Sequence, residues 1–326
     1  MINISRVEMY KPIQVAELLR EMRSNPKIDP NKLESYRSLS RRLRDHVTLR
    51  LFGKVSTSSM QFQDNLWNEN AIPAAALSCL SKINKNNGAV EEHIYQRIYE
   101  KSELMMELRK SILKLKTIED FKSLINGFNI DGLRTSADRL LEIVTLCILN
   151  FYLDDSKLVL KIVTEKNNIP GVTLRKIFER ESVWEQRLEF AKLGHTNAAD
   201  AGMDLWSNFG IVVSVKNYRL DLSLFDGILL DSPVGKLVIV CEEVSPEVAA
   251  LTGSNMNLRD VTILTVAELL HDVETLIAND TSCKNFADSL LVYFDREFPQ
   301  LLTLVDFMNE RGYHVRKPGQ IIDLGL

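Results

Sequence analysis

What the chain lacks narrows it first. Its longest apolar stretch, Ile143 to Leu153, is eleven residues with an asparagine inside, whereas a bilayer-crossing helix needs about twenty. The amino-terminal MINISRVEMYKPIQ has no apolar core of the kind a signal peptide carries, so a cytoplasmic protein without membrane contact is expected. Cysteine is sparse: Cys79, Cys147, Cys241 and Cys283 are scattered singly, which offers neither zinc-ligand pairs nor a disulfide framework and marks them as small core residues in a reducing compartment. Internal repeats, low-complexity segments and obvious linkers are missing too. A net charge of −4 excludes a protein that coats nucleic acid by electrostatics alone.

What is present is a chain of 326 residues, 45% hydrophobic, long enough to bury one large core or two ordinary ones. Charge is uneven along it. Residues 1 to 60 carry twelve Lys/Arg against six Asp/Glu, and SRRLRDHVTLR sets Arg41, Arg42, Arg44 and Arg50 in a helical pattern. Such a set would neutralise phosphates if presented together; the alternative is a solvated helix face.

Up to about residue 153 the periodicity is helical. Pro12 opens IQVAELLREM, NKLESYRSLSRRLRDHVTLRLFG forms a second helix closed by Gly53, and AAALSCLSKI is closed by Asn86-Asn87-Gly88. VEEHIYQRIYEKSELMMELRKSILKL and the strongly apolar SADRLLEIVTLCILNFYL follow. From Ser156 the period changes to that of strands: KLVLKIV, then MDLW and GIVVSVK across the turn Ser207-Asn208-Phe209-Gly210, then KLVIVC and VTILTV. A helix over residues 221 to 230 separates the third and fourth strands. LRKIFERESVWEQRLEFAKL is expected to be a helical insertion between the first two. The order helix, strand, strand, strand, helix, strand predicts a mixed α/β (α+β) protein, with a helical region over 1–130 and a sheet-bearing region over 131–326.

Lys216, ending the run IVVSVK, must account for its charge, because a buried ammonium costs several kcal/mol unless paired. Asp204, twelve positions back through a turn, can supply the partner across the hairpin. Alternation puts Ser214 and Lys216 on one strand face, away from Val213 and Val215. A carboxylate, a hydroxyl and a lysine at a hairpin end suit a hard divalent cation held by carboxylates and the Val215 carbonyl, beside a lysine that steadies charge on a phosphate. The alternative is a partly exposed salt bridge of little worth. A hydroxyl at Ser214 is a weak ligand, so a second acid is expected. Glu142, interrupting RLLEIVTLCIL, is the first candidate, and Asp200 the second. His195 is a weaker candidate for a base, Trp206 is expected in the core, and Glu242 and Glu243 are expected as surface charges at a strand end.

The segments SRVEMYKPIQVAELL, RLFGKVSTSSMQFQDNLWNENAIP and GHTNAADAGMDLWSNFGIVVSVKNYRL resemble the HaeII family of type II restriction endonucleases, and the likeness runs over most of the chain. More distantly, AADAGMDLW followed by VVSVK is similar to the Mrr-type nucleases, in which Gly-Asp-x-Gly-Ile-Asp precedes a Gln-x-Lys strand. Both likenesses imply a PD-(D/E)-x-K nuclease core, on which Asp204 takes the metal-binding aspartate, Ser214 the variable acid or glutamine, Lys216 the catalytic lysine and Glu142 the acid of the first core helix. Ser214 departs from the usual residue there. The resemblance implies Mg²⁺ and double-stranded DNA with a palindromic purine-GCGC-pyrimidine site; a palindrome cut on both strands implies a homodimer. Readout of G and C edges calls for Arg, Lys, Asn and Gln. The candidates are Arg41, Arg42, Arg50, Lys54, Ser56, Ser58, Ser59, Gln61, Gln63 and Asn65, with Asn208, Tyr218 and Arg219 near the hairpin. Because of Ser214, the competing expectation is a catalytically silent DNA-binding protein on the same fold.

Overall fold

A computed structural model describes residues 6–55, 74–128, 134–163, 183–192, 203–231, 236–253 and 260–316. The described residues form two compact units. One gathers those of Met1–Ile143 and Leu276–Leu326, and the other those of Val144–Leu193 and Ala201–Thr275.

The first unit is helical. Helix α1 spans Arg6–Ser24, α2 Arg37–Phe52, α3 Ala74–Asn84, α4 Ala89–Leu113 and α5 Ile118–Phe128; α10 (Asp280–Glu297) and α11 (Leu301–Glu310) come from the far end of the chain. Pro12 does not open α1 but lies inside it. The backbone bond that a proline forfeits is offset there by complete or near-complete burial of Met9, Tyr10 and Ile13 around it. Gly53 ends α2 as expected, in the left-handed region at φ 66° with its N–H bonded to Leu49 O at 2.8 Å. The α3–α4 corner is built by Asn84, which is buried. Its Oδ1 accepts the Val90 and Glu91 N–H groups, each at 3.1 Å, and its Nδ2 donates to Leu19 O at 3.2 Å, so one side chain satisfies orphan donors of the α4 amino terminus. Gly88, between the helices, has φ 71°, and a Cβ there would sit 2.5 Å from Glu91 Oε1.

The core of this unit packs Val15, Leu18, Leu19 and Met22 of α1 on Tyr36, Leu77 and Val90. Charged groups are buried beside it in pairs. Glu17 accepts from Tyr95 Oη at 2.6 Å and meets Arg311 at 2.8 Å, and Glu91 meets Arg23 at 2.5 Å. Burial pushes the Glu17 carboxyl above its ordinary range, with Arg311 opposing.

The second unit carries the sheets. Helix α6 (Arg134–Ser156) leads into it, followed by β1 (Val159–Val163), β2 (Val183–Arg187), β3 (Phe190–Lys192), β4 (Leu205–Ser207) and β5 (Ile211–Val215). Then come α7 (Leu222–Asp231), β6 (Lys236–Cys241), α8 (Pro246–Gly253), β7 (Asp260–Thr265) and α9 (Val266–Ile277). The five-stranded sheet has the order β3-β4-β5-β6-β7, antiparallel from β3 to β5 and parallel from β5 to β7. Strand β6 is apolar and buried from Leu237 to Cys241, as a central parallel strand should be. Phe225 and Ile228 of α7 and Val248 of α8 cover Leu237, Ile239 and Cys241.

Two expectations are corrected here. The strand at 159–163 does not belong to the main sheet: it pairs with β2 as a separate two-stranded ribbon. Residues 183–192, expected to be helical, are strands β2 and β3, because VWEQR finds an antiparallel partner in VLKIV and FAK finds one in β4. The first strand of the main sheet is therefore β3, locked to α6 by Asn150. That side chain donates to Phe190 O at 2.9 Å and accepts from Phe190 N at 2.7 Å. Asn150→Ala strips both partners from a half-buried backbone and is expected to destabilise the protein by roughly 1–3 kcal/mol, read as a lowered midpoint in urea; an unchanged midpoint would refute this role.

All four cysteines are free, and three are buried; Cys79 is exposed rather than in the core. Burial pushes the Cys147 and Cys283 thiols up, and burial with the Glu268 charge pushes Cys241 up to about 11. The native protein should give one fast-reacting thiol with an aromatic disulfide reagent, lost in Cys79→Ser, and four in denaturant. More than one fast thiol would contradict the described burial.

Candidate active site

Strands β4 and β5 form the hairpin that the sequence predicts, in the register Leu205 opposite Val213 and Trp206 opposite Val212. Its turn is closed by Gly210 at φ 89° and by Ser207 Oγ, which accepts from Ile211 N at 2.7 Å. At the other end, Asp204 extends the ladder twice. Its own N–H donates to Val213 O at 2.9 Å, and its carboxylate Oδ2 accepts the Val215 N–H at 2.7 Å. The side chain thus stands where a backbone carbonyl of β4 would have been, and this fixes its direction.

Lys216 follows β5, with its backbone N–H bonded to Val240 O of β6 at 2.8 Å. Its ammonium Nζ lies 3.6 Å from Asp204 Oδ2, and the two side chains are only 15% and 18% exposed. Charges this sheltered interact more strongly than a surface pair, because the surrounding dielectric is low. Ser214, between them on β5, is fully buried. The Lys216-bearing strand runs next to β6 in parallel, and the loops beyond the two strands stay together: Glu242 N donates to Tyr218 O at 3.1 Å and Leu220 N to Glu243 O at 2.7 Å. Tyr218, Arg219, Glu242 and Glu243 are all exposed at this end of the sheet.

Glu142 is buried on α6 at 4% exposure, with Oε1 accepting from Arg139 Nη1 at 2.7 Å. It is grouped with the helical unit and the Asp204–Lys216 pair with the other. Among the described residues no three His, Cys, Asp or Glu side chains cluster as a ready metal cage.

The basic candidates on and just after α2 divide. Arg42 and Lys54 are exposed, Arg41 faces Asp45 at 3.9 Å, and Arg50 forms a two-pronged pair with Glu310 while lying 5.4 Å over the Phe307 ring. Arg44 is not part of a surface array: it is 1% exposed, bonded through Nε and Nη2 to Asp45 Oδ1 at 2.9 and 2.6 Å. Ser56, Ser58, Ser59, Gln61, Gln63, Asn65, His195 and Asp200 lie outside the described residues.

Asn208 has a definite task in the fold. Its Nδ2 donates to Arg187 O at 2.8 Å and its Oδ1 accepts from Glu189 N at 3.1 Å, which holds the hairpin turn to the link between β2 and β3. Sequence spacing gave no sign of this, since the partners lie about twenty positions away. Trp206 is corrected from core to surface, at 44% exposure; strand alternation turns Leu205 and Ser207 inward and leaves it outside.

A carboxylate fixed by the backbone, facing a lysine at the end of a mixed sheet, can place charge against a phosphoryl group, which phosphodiester cleavage requires. Residues 1–313 match the model of the HaeII restriction endonuclease family, and the chain belongs to that family. It is a type II restriction endonuclease, a site-specific deoxyribonuclease. The type II restriction enzyme NgoBI of Neisseria gonorrhoeae is 32% identical to it over 96% of this chain and 94% of its own length. The type II restriction enzyme HaeII of Haemophilus aegyptius is 28% identical over 99% and 96%. No solved structure matches the chain. Among the described residues no helix is long and apolar enough to cross a membrane.

Proposed function

We propose that the protein is a Mg²⁺-dependent endonuclease with a PD-(D/E)-x-K core, cutting double-stranded DNA at a palindromic site of the form purine-GCGC-pyrimidine. It works as a homodimer in the cytoplasm. Residues 131–326 carry the catalytic core, and residues 1–130 serve DNA recognition, dimerisation or both. The observation that carries this reading is the Asp204–Lys216 pair at 3.6 Å, inside a family match that runs nearly the whole chain.

The donor set fits a hard cation: it is all oxygen, with no thiolate or imidazole. Asp204 and the Val215 carbonyl would hold the ion; the family resemblance alone names Glu142 as a further acid. In an extended strand a residue's N–H and C=O point to the same side, so the Val215 carbonyl shares the Asp204 side of β5 with the N–H that Asp204 accepts. When bound, Mg²⁺ makes water a stronger nucleophile at neutral pH and neutralises charge on the phosphate.

The protein's own groups do the rest. Asp204, oriented by the Val215 N–H, keeps its negative charge aimed along the strand end. Lys216 donates to a non-bridging phosphate oxygen or to the incoming water, and stabilises the charge that grows as oxygen adds to phosphorus. The water oxygen forms a new P–O bond as one P–O ester bond breaks; the water gives up a proton to solvent, and the departing oxygen takes one from solvent. Ser214, fully buried, contributes no charge. Arg42, Lys54, Tyr218 and Arg219 are exposed and serve as DNA contacts; Arg41 and Arg50 join them by exchanging Asp45 and Glu310 for phosphate.

Unmethylated plasmid DNA incubated with the protein and Mg²⁺ tests this. Discrete fragments whose sequenced ends all fall in purine-GCGC-pyrimidine are expected, with none in EDTA. Smearing, cutting in EDTA, or sequence-specific binding without cleavage would each overturn it.

A further inference from the structure

The ribbon of β1 and β2 has no role in the reading above. Among the described residues its strands pair only with each other, in five register pairs from Val159↔Arg187 to Val163↔Val183. An isolated two-stranded ribbon is marginal in water. This one is anchored at its base. Leu188 N reaches Leu158 O at 3.4 Å, Arg187 pairs with Asp154, and the Asn208 amide binds Arg187 O and Glu189 N. The ribbon is therefore tied to the turn of the β4–β5 hairpin that carries Asp204. Yet Leu158 and Val159 are 49% and 55% exposed, and the Arg187 side chain 67%.

Charge indicates what covers it. In a chain of net charge −4, the described residues 157–163 and 183–187 hold three cations, Lys157, Lys161 and Arg187, against one acid, Glu185, the reverse of the overall balance and complementary to a polyanion. Dimensions agree: five residues of strand extend about 17 Å, and the DNA major groove, about 12 Å wide, admits a two-stranded ribbon. We propose that the β1–β2 ribbon enters the major groove of the substrate duplex as a DNA-reading element, with Asn208 positioning it against the catalytic hairpin. The proposal rests on the nuclease reading and adds a recognition surface to it, separate from the amino-terminal basic segment.

The test compares the wild type with a Lys157→Ala, Lys161→Ala, Arg187→Ala variant. Binding to a duplex carrying purine-GCGC-pyrimidine is measured by fluorescence anisotropy across KCl concentrations, with Ca²⁺ replacing Mg²⁺, alongside guanine-N7 methylation interference. The ribbon proposal expects at least tenfold weaker binding, a salt slope shallower by about two to three units at roughly 0.9 per lost phosphate contact, and fewer interfering guanines. Equal affinity, slope and interference would overturn the ribbon while leaving the nuclease reading intact. A wild type that binds no duplex would overturn both. A variant that changes from dimer to monomer in sedimentation with its DNA slope intact would instead assign the ribbon to an interface between copies. Should the triple variant fail to fold, Lys157→Gln with Lys161→Gln is read in the same way.

Discussion

Lys216→Ala is expected to lower the single-turnover cleavage rate by about 10³-fold or more while leaving DNA affinity within a factor of about three. The reasoning is electrostatic. In the proposed role, the Lys216 ammonium, 15% exposed and 3.6 Å from a carboxylate, meets charge that exists mainly in the transition state, so its loss should fall on the rate rather than on binding. The fold should tolerate the change. Lys216 is attached to the sheet through its backbone N–H to Val240 O, which alanine keeps. Retained cleavage, or a loss of binding equal to the loss of rate, would refute the role.

Asp204 has two jobs that substitution can separate. Asp204→Asn keeps an oxygen to accept the Val215 N–H, now 2.7 Å from Oδ2, but removes the negative charge. Cleavage should fall by about 10³-fold or more, and the loss of thermal stability should be limited to that of the broken pairing with Lys216. Asp204→Ala removes charge and acceptor together. It should lose cleavage equally and cost a further 1–3 kcal/mol or so of stability, the usual consequence of orphaning a sheltered N–H. If the asparagine variant still cuts, the carboxylate charge is not what the site uses. If both variants have the same melting temperature, the bond to Val215 has no structural weight.

Much of this arrangement was legible in the sequence because it is local. A hairpin with a four-residue turn fixes which residues face each other, so Asp204 and Lys216, twelve positions apart, could be placed together from alternation alone. Gly53 likewise announced a helix end that the backbone confirms at φ 66°. What escaped were features decided by partners distant in sequence. Residues 183–187 became a strand because β1 was there to pair with; the segment's own periodicity did not require it. Arg44 was read with its exposed neighbours, yet it points inward, lying 5.8 Å from the Tyr10 ring centre. The bridge that the Asn208 amide makes between two backbone groups is likewise set by distant partners. Trp206, expected in the core, lies outside because alternation along β4 turns it there.

Whether Asp204 and Lys216 serve one phosphodiester together is tested most directly by a double-mutant cycle. Single-turnover cleavage of one cognate duplex is measured for wild type, Asp204→Asn, Lys216→Ala and the double variant. Groups that act as a unit are strongly non-additive, so the double variant should be no slower than the slower single variant within about threefold. Losses that multiply would show two groups working independently, and the shared site described here would be wrong.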